Sequence, residues 1–199
     1  VIRDTFYPAF FAADYYFSIS GNDAAGEGTK AKPWRTIGKA VQDCLPAAGD
    51  PARIRIGLGT YKETITLRAY VELYGGYETG GWTRNLSFYK TTITPADPNT
   101  LAPIIAAATG CRVDGLNLKG GDTGVLCEDC SPAIVQCAIE GAQTCGIQAT
   151  GAEASPLIEG NTILLLYTSD AADDLLCVDL GGRRIIKKQK KQKHNTHVR

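Results

Sequence analysis

The sequence contains no methionine in its 199 residues. Even an initiator is missing, so a fragment or a processed chain is expected. Histidine is nearly absent as well, and the two present, His194 and His197, both fall in the final stretch. The first 163 residues therefore offer no imidazole. That excludes Ser-His-Asp and Cys-His nucleophiles there and removes the commonest general base. No apolar run approaches the ~20 residues that a membrane-spanning helix needs, so no transmembrane segment is expected. Net charge is lacking too, with 21 Lys and Arg against 21 Asp and Glu. That balance sums two unlike parts. Residues 1–163 hold 13 basic and 17 acidic side chains, whereas residues 164–199 hold 8 and 4. A hydrophobic content of 44% with 22 Gly excludes a wholly disordered chain. A length near 200 allows one domain or part of a larger one.

The composition changes after Ile163, and the last fifteen residues read IIKKQKKQKHNTHVR. Such a basic low-complexity run is ordinarily a solvated arm. The stretch from Leu165-Leu166-Tyr167-Thr168-Ser169-Asp170 through Cys177-Val178-Asp179-Leu180 to Lys188 resembles the conceptual translation of a transposon-type sequencing-library adapter. That resemblance implies that residues 164–199 are a non-native tail, excluded from fold reasoning. No nucleic-acid partner is expected from it. Gly181-Gly182-Arg183-Arg184 lacks the spacing and the preceding strand of a phosphate loop. His194 and His197 have no carboxylate or thiolate beside them to complete a metal site.

Residues 16–163 carry an internal repeat. Ser131-Pro132-Ala133-Ile134 … Ala138-Ile139 recurs as Ser155-Pro156-Leu157-Ile158 … Thr162-Ile163, and Val113-Asp114-Gly115-Leu116-Asn117-Leu118 is the preceding copy, giving a period of about 22. Each copy holds two or three alternating runs of three to five residues, too short for a helix and suited to strands. One such unit cannot bury its own apolar face, so units must stack. The fold class expected is all-β, a parallel β-helix of about 22 residues per coil. Its inward positions should be Val113, Leu116, Leu118, Val125, Ile134, Cys137, Ile139, Ile147, Leu157 and Ile163. Upstream, Trp34, Ile37, Ala40 and Val41 fall on one face of a short amphipathic helix. Asn161 and Cys137 occupy one corner position in successive copies, so no continuous asparagine ladder is expected.

The strand ending in Ser20-Gly21-Asn22-Asp23, the segment Gly28 to Ile37, Gly59-Thr60-Tyr61, Leu73-Tyr74-Gly75-Gly76-Tyr77 and the Ser-Pro-x-Ile repeats resemble secreted bacterial pectin-lyase-like proteins with a DUF1565-type N-terminus. The resemblance covers residues 16–163. It implies a right-handed single-stranded β-helix, truncated at its C-terminal end, with a capping α-helix at about residues 34–43. Residues 1–15 are then an N-terminal extension. An extracellular or cell-surface location and a polysaccharide or cell-envelope partner are implied with it. A superfold of this kind does not fix an activity.

Candidate chemistry is sparse. The resemblance to β-helix polysaccharide lyases implies acidic calcium ligands with an Arg or Lys base, and the local stock is Asp114, Asp122, Glu128 and Asp129 with Arg112 and Lys119. The competing reading is solvated turn residues. Glu140 and Glu159 are the nearest approach to a glycosidase carboxylate pair. Six cysteines fall in the body: Cys44, Cys111, Cys127, Cys130, Cys137 and Cys145. Their spacing fits no zinc finger or ribbon. They read as apolar fillers or as disulfides between neighbouring coils, with Cys111–Cys130 and Cys127–Cys145 as candidate pairs. Tyr74, Tyr77, Trp82 and Tyr89 are suited either to stack on sugar rings or to cover the first coils. No cofactor beyond calcium is suggested. The function expected is an exported structural or carbohydrate-contacting module, and the alternative is the N-terminal part of a polysaccharide lyase or glycoside hydrolase.

Overall fold

The computed structural model describes residues 14–164. Strand β1 (Asp14–Phe17) leads to α1 (Ile37–Asp43), and the chain then winds through successive three-strand coils. These are β2 (Ala52–Gly57), β3 (Gly59–Lys62), β4 (Ile65–Thr66); β5 (Val71–Tyr77), β6 (Thr91–Thr94), β7 (Ile105–Ala106); β8 (Arg112–Asp114), β9 (Asn117–Lys119), β10 (Thr123–Glu128); and β11 (Ala133–Val135), β12 (Ala138–Glu140), β13 (Cys145–Thr150). Strands β14 (Leu157–Glu159) and β15 (Thr162–Leu164) begin another. Every third strand pairs in parallel, giving sheets ordered β1-β2-β5-β8-β11-β14, β3-β6-β9-β12-β15 and β4-β7-β10-β13. This is a parallel β-helix.

Register aligns like residues in columns that fill the interior. Ile54, Leu73, Val113, Ile134 and Ile158 form one. Tyr61, Ile93, Leu118, Ile139 and Ile163 form the second, and Ile65, Ile105, Val125 and Ile147 the third. All are buried except Ile158 and Ile163 in the last strands, which are only partly covered. A side-chain period of two sends their neighbours outward. Leu157 is therefore not inward as the sequence suggested. It pairs with Ala133, while Ile158 pairs with the buried Ile134, so Leu157 lies on the outer face and is 55% exposed.

The coils are unequal in length. The first column steps 19 residues from Ile54 to Leu73, 40 to Val113, 21 to Ile134 and 24 to Ile158. The longest step accommodates two connections, residues 78–90 and 95–104. The 22-residue period belongs to the later coils alone.

The helix begins three residues later than expected. Trp34 is extended, bridging Phe17, and Thr36 is the N-cap. The helix start is held by side chains from three segments. Asp23 accepts from the Arg35 and Thr36 amides at 2.8 and 3.0 Å, and Glu63 accepts from the Ile37 and Gly38 amides at 3.0 and 2.9 Å. The Thr36 hydroxyl accepts from the Lys39 amide at 3.4 Å. These satisfy donors that a helix leaves open at its first turn. Ile37, Ala40 and Val41 turn into the core beneath.

Candidate functional site

Outward residues differ sharply among the sheets. The second sheet presents Thr60, Thr92, Asn117 and Ala138, with Lys119 paired to Glu140 at 3.0 Å. The six-stranded sheet instead presents two columns rich in charge and aromatic rings. One runs Asp14, Arg53, Glu72, Arg112; the other runs Tyr16, Arg55, Tyr74, Asp114. Both give way to Ala133 and Val135 on β11. The stripe thus spans β1, β2, β5 and β8, three strand spacings or roughly 14 Å.

Its members contact one another directly. Arg55 Nη2 donates to both carboxylate oxygens of Asp14 at 3.0 and 2.9 Å, and Nη1 to the Tyr77 hydroxyl at 3.0 Å. The Arg55 Nε is buried with no partner. Tyr74 donates its hydroxyl to Glu72 at 2.9 Å, and Arg53 stands 3.6 Å from the same carboxylate. Asp114, with its side chain 4% exposed, receives Arg112 through Nε and Nη2 at 2.9 and 2.7 Å. Its other oxygen receives Arg84. The Arg84 guanidinium also lies over the rings of Tyr74 and Tyr77, at 5.5 and 5.8 Å.

Arg84 comes from the 78–90 connection, which folds back over the stripe. Glu78 binds the Gly80, Gly81 and Thr83 amides at 2.6, 2.7 and 3.2 Å, closing the turn. Arg84 Nε donates to the Gly75 carbonyl at 2.9 Å, and Asn85 N to the Gly76 carbonyl at 2.8 Å. Trp82 packs between Tyr16 and Tyr77, with ring centroids at 4.8 and 6.4 Å.

These surroundings set the proton chemistry. Burial, then the Glu72 hydrogen bond and charge, push the Tyr74 hydroxyl up to about 12, so it is a hydrogen-bond donor at neutral pH. Burial alone would lower the Arg55 pKa, but the Asp14 hydrogen bond and charge more than offset it and raise the value. Asp114 receives two guanidinium groups, so its own carboxylate oxygens are already engaged.

Tyr74, Tyr77 and Trp82 come together here, yet Tyr77 and Trp82 are only 5% and 7% exposed. The Tyr77 and Trp82 rings cover the first coils. Tyr89 stands apart at the end of the connection, its amide bonded to the Asn85 carbonyl. The expected calcium set is dispersed. Asp114 belongs to the stripe; Asp122 binds the Thr123 and Thr144 hydroxyls; Glu128 ends β10; and Asp129 lies in the following turn. Among the described residues no three His, Cys, Asp or Glu side chains converge to hold a metal ion. Glu140 and Glu159 lie in different sheets, so they do not share a position in adjacent coils.

No disulfide links the six body cysteines. Cys127 and Cys145 fall on paired strands four positions out of register, since Cys127 meets Ala149 and Cys145 meets Thr123. That is about 13 Å, well beyond the reach of a disulfide. Cys111 and Cys130 do approach the same corner. Cys177, His194, His197 and residues 181–184 lie outside the described residues.

Arg53, Arg55, Glu72 and Arg84 were not singled out by sequence. The readable signal was Arg53-Ile54-Arg55, whose period of two sends both guanidinium groups to one face of β2.

A cleft of about 400 Å³ lies between the helix start and β3, lined by Ile19, Arg35, Thr36, Thr60, Lys62 and Glu63. Glu63 is committed to the helix amides.

Coils stacked through three parallel sheets, a helix at the first end and a charged stripe on one face place the molecule among the parallel β-helix proteins. Within that class the chain belongs to the DUF1565 family, described as proteins of unknown function, whose profile matches residues 19–175. Comparison with curated sequences finds no match. Among solved structures, a rhamnogalacturonan lyase is similar at 14% identity and a TM-score of 0.39, covering 79% of this chain. The chain spans about half, 52%, of that lyase's length. Among the described residues no helix is long and apolar enough to cross a membrane.

Proposed function

We propose that this chain is an exported or cell-surface β-helix module that contacts acidic polysaccharide through the outer face of its six-stranded sheet. The observation that carries this reading is the stripe of Arg53, Arg55, Arg84 and Arg112 interleaved with Tyr16 and Tyr74. Guanidinium groups bind carboxylates in planar paired hydrogen bonds, and tyrosines supply apolar surface with a polar tip. A rigid sheet holds these groups at a fixed repeat, which suits a polymer bearing regularly spaced carboxylates. The pairing of Asp114 with two arginines favours contact over turnover.

The test is affinity electrophoresis in gels containing polygalacturonate or, separately, a neutral dextran. Retardation is expected in polygalacturonate alone and should weaken with added salt. Arg53→Ala, which removes the most exposed arginine of the stripe, should reduce affinity roughly 2–5-fold. Lys119→Ala on the neighbouring sheet should leave it unchanged. Equal retardation in both polymers, or none in either, overturns the reading. Release of unsaturated uronides from polygalacturonate would place the protein with the lyases instead.

A further inference from the structure

The second sheet ends at β3, and among the described residues no strand pairs with the far side of β3. The Gly59 and Glu63 amides donate to the Lys90 and Thr94 carbonyls at 2.9 and 2.8 Å, so Gly59, Tyr61 and Glu63 turn their backbone toward β6. Backbone direction alternates along a strand. The Thr60 and Lys62 amides and carbonyls therefore face the open side.

That side borders the cleft of about 400 Å³. Ile19 stands at one end, its side chain 3.0 Å from where a Cβ on Gly59 would lie, and is 51% exposed. Arg35 and Thr36, just before α1, form another wall. The first amides there are closed to a ligand, because Asp23 and Glu63 accept from them, and both carboxylates are thereby engaged. Arg35 and Lys62 carry the remaining charge of the cleft. Among the described residues neither has an ion-pair partner, whereas the nearby Lys39 pairs with Asp43.

We propose that this cleft binds an extended acidic peptide of a partner protein, which adds to the open edge of β3 as a further strand. Its backbone pairs with Thr60 and Lys62, and its carboxylate side chains pair with Arg35 and Lys62. An open strand edge recognises main chain by its regular row of donors and acceptors. The two unpaired cations select the charge of the side chains. A polysaccharide has no such row of amides, which separates this site from the arginine stripe on the six-stranded sheet.

The full chain is titrated into a short fluorescein-labelled peptide of alternating Glu and Thr, and binding is read by fluorescence anisotropy. Binding is expected for this peptide and not for its Lys-Thr counterpart. Arg35→Gln and Lys62→Gln should each weaken it roughly 2–5-fold. Thr60→Pro removes an amide that faces the cleft and leaves the bonds to β6 in place, so it should weaken binding about tenfold. The same peptide with its amides N-methylated should lose binding to the unaltered protein. Should Thr60→Pro not fold, the methylated peptide decides alone. Binding that survives methylation shows charge attraction without strand addition and overturns the proposal. So does equal binding of the Lys-Thr peptide, or no binding of either. Weakening by Arg53→Ala would put the peptide on the arginine stripe and overturns it as well.

Discussion

Asp114 concentrates the electrostatics of the stripe in one residue. Its carboxylate is almost fully buried, whereas Arg84 and Arg112 keep 28% and 32% of their side chains exposed. Removing the acid strands two cations that can turn toward water, so the loss is less than for a wholly buried pair. Asp114→Ala is expected to cost about 1–3 kcal/mol in urea denaturation, and Arg112→Ala less, because Arg84 still holds the acid. Equal costs for the two would show that the network is not centred on Asp114. Sequence exposed this residue as an acid on a strand. It did not reveal the partner, because Arg84 arrives from thirty residues away over a connection with no periodic signal. Gly75 lies inside β5. A Cβ there would stand 2.4 Å from the Gly115 carbonyl, so backbone proximity between coils demands glycine.

The helix shows the same division between local pattern and distant support. Its apolar face was legible from Ile37, Ala40 and Val41, but its start was not. Asp23 and Glu63, which hold the first amides, lie far away in sequence. Burial pushes the Asp23 carboxyl up, but the Thr36 and Arg35 amides, the Thr36 hydroxyl and Lys39 outweigh it and hold it below its ordinary 3.8. A depressed folded-state value stabilises the protein above the unfolded-state value, and this contribution is lost as pH falls through the folded one. Asp23→Ala should therefore destabilise by about 1 kcal/mol at neutral pH. The gap to wild type in thermal melts should narrow below about pH 4. A gap that stays constant on acidification would assign the effect to packing instead. The Gly28 to Trp34 part of the family motif has a structural role as well. A Cβ on Gly28 would meet the Trp34 ring at 2.7 Å, and the Trp34 indole N–H bonds the Gly26 carbonyl at 3.0 Å.

Across the whole molecule the two ends of the stack differ. The first is closed by α1, while β13, β14 and β15 form the last edge of their sheets among the described residues. Leu157 and Leu164 stand outward beside that edge at 55% and 57% exposure. Where an apolar edge has no neighbouring strand, it favours strand addition between molecules. Leu157→Lys combined with Leu164→Lys should raise the soluble fraction after heating, with a change in unfolding free energy within about 0.5 kcal/mol. Unchanged turbidity in light scattering would shift the cause elsewhere. The outer columns carry one more consequence, for a hazard peculiar to repeats. Interior columns of Ile, Leu and Val barely distinguish one coil from the next, so a strand that skipped a neighbour would still find an apolar partner. The column Asp14, Arg53, Glu72, Arg112 alternates in sign. If β2 bypassed β5 for β8, Arg53 would face Arg112; if β1 bypassed β2 for β5, Asp14 would face Glu72. Like charges directly opposed cost roughly 0.2–1 kcal/mol each. The alternating charges thus disfavour a stack in which β2 or β5 has been skipped.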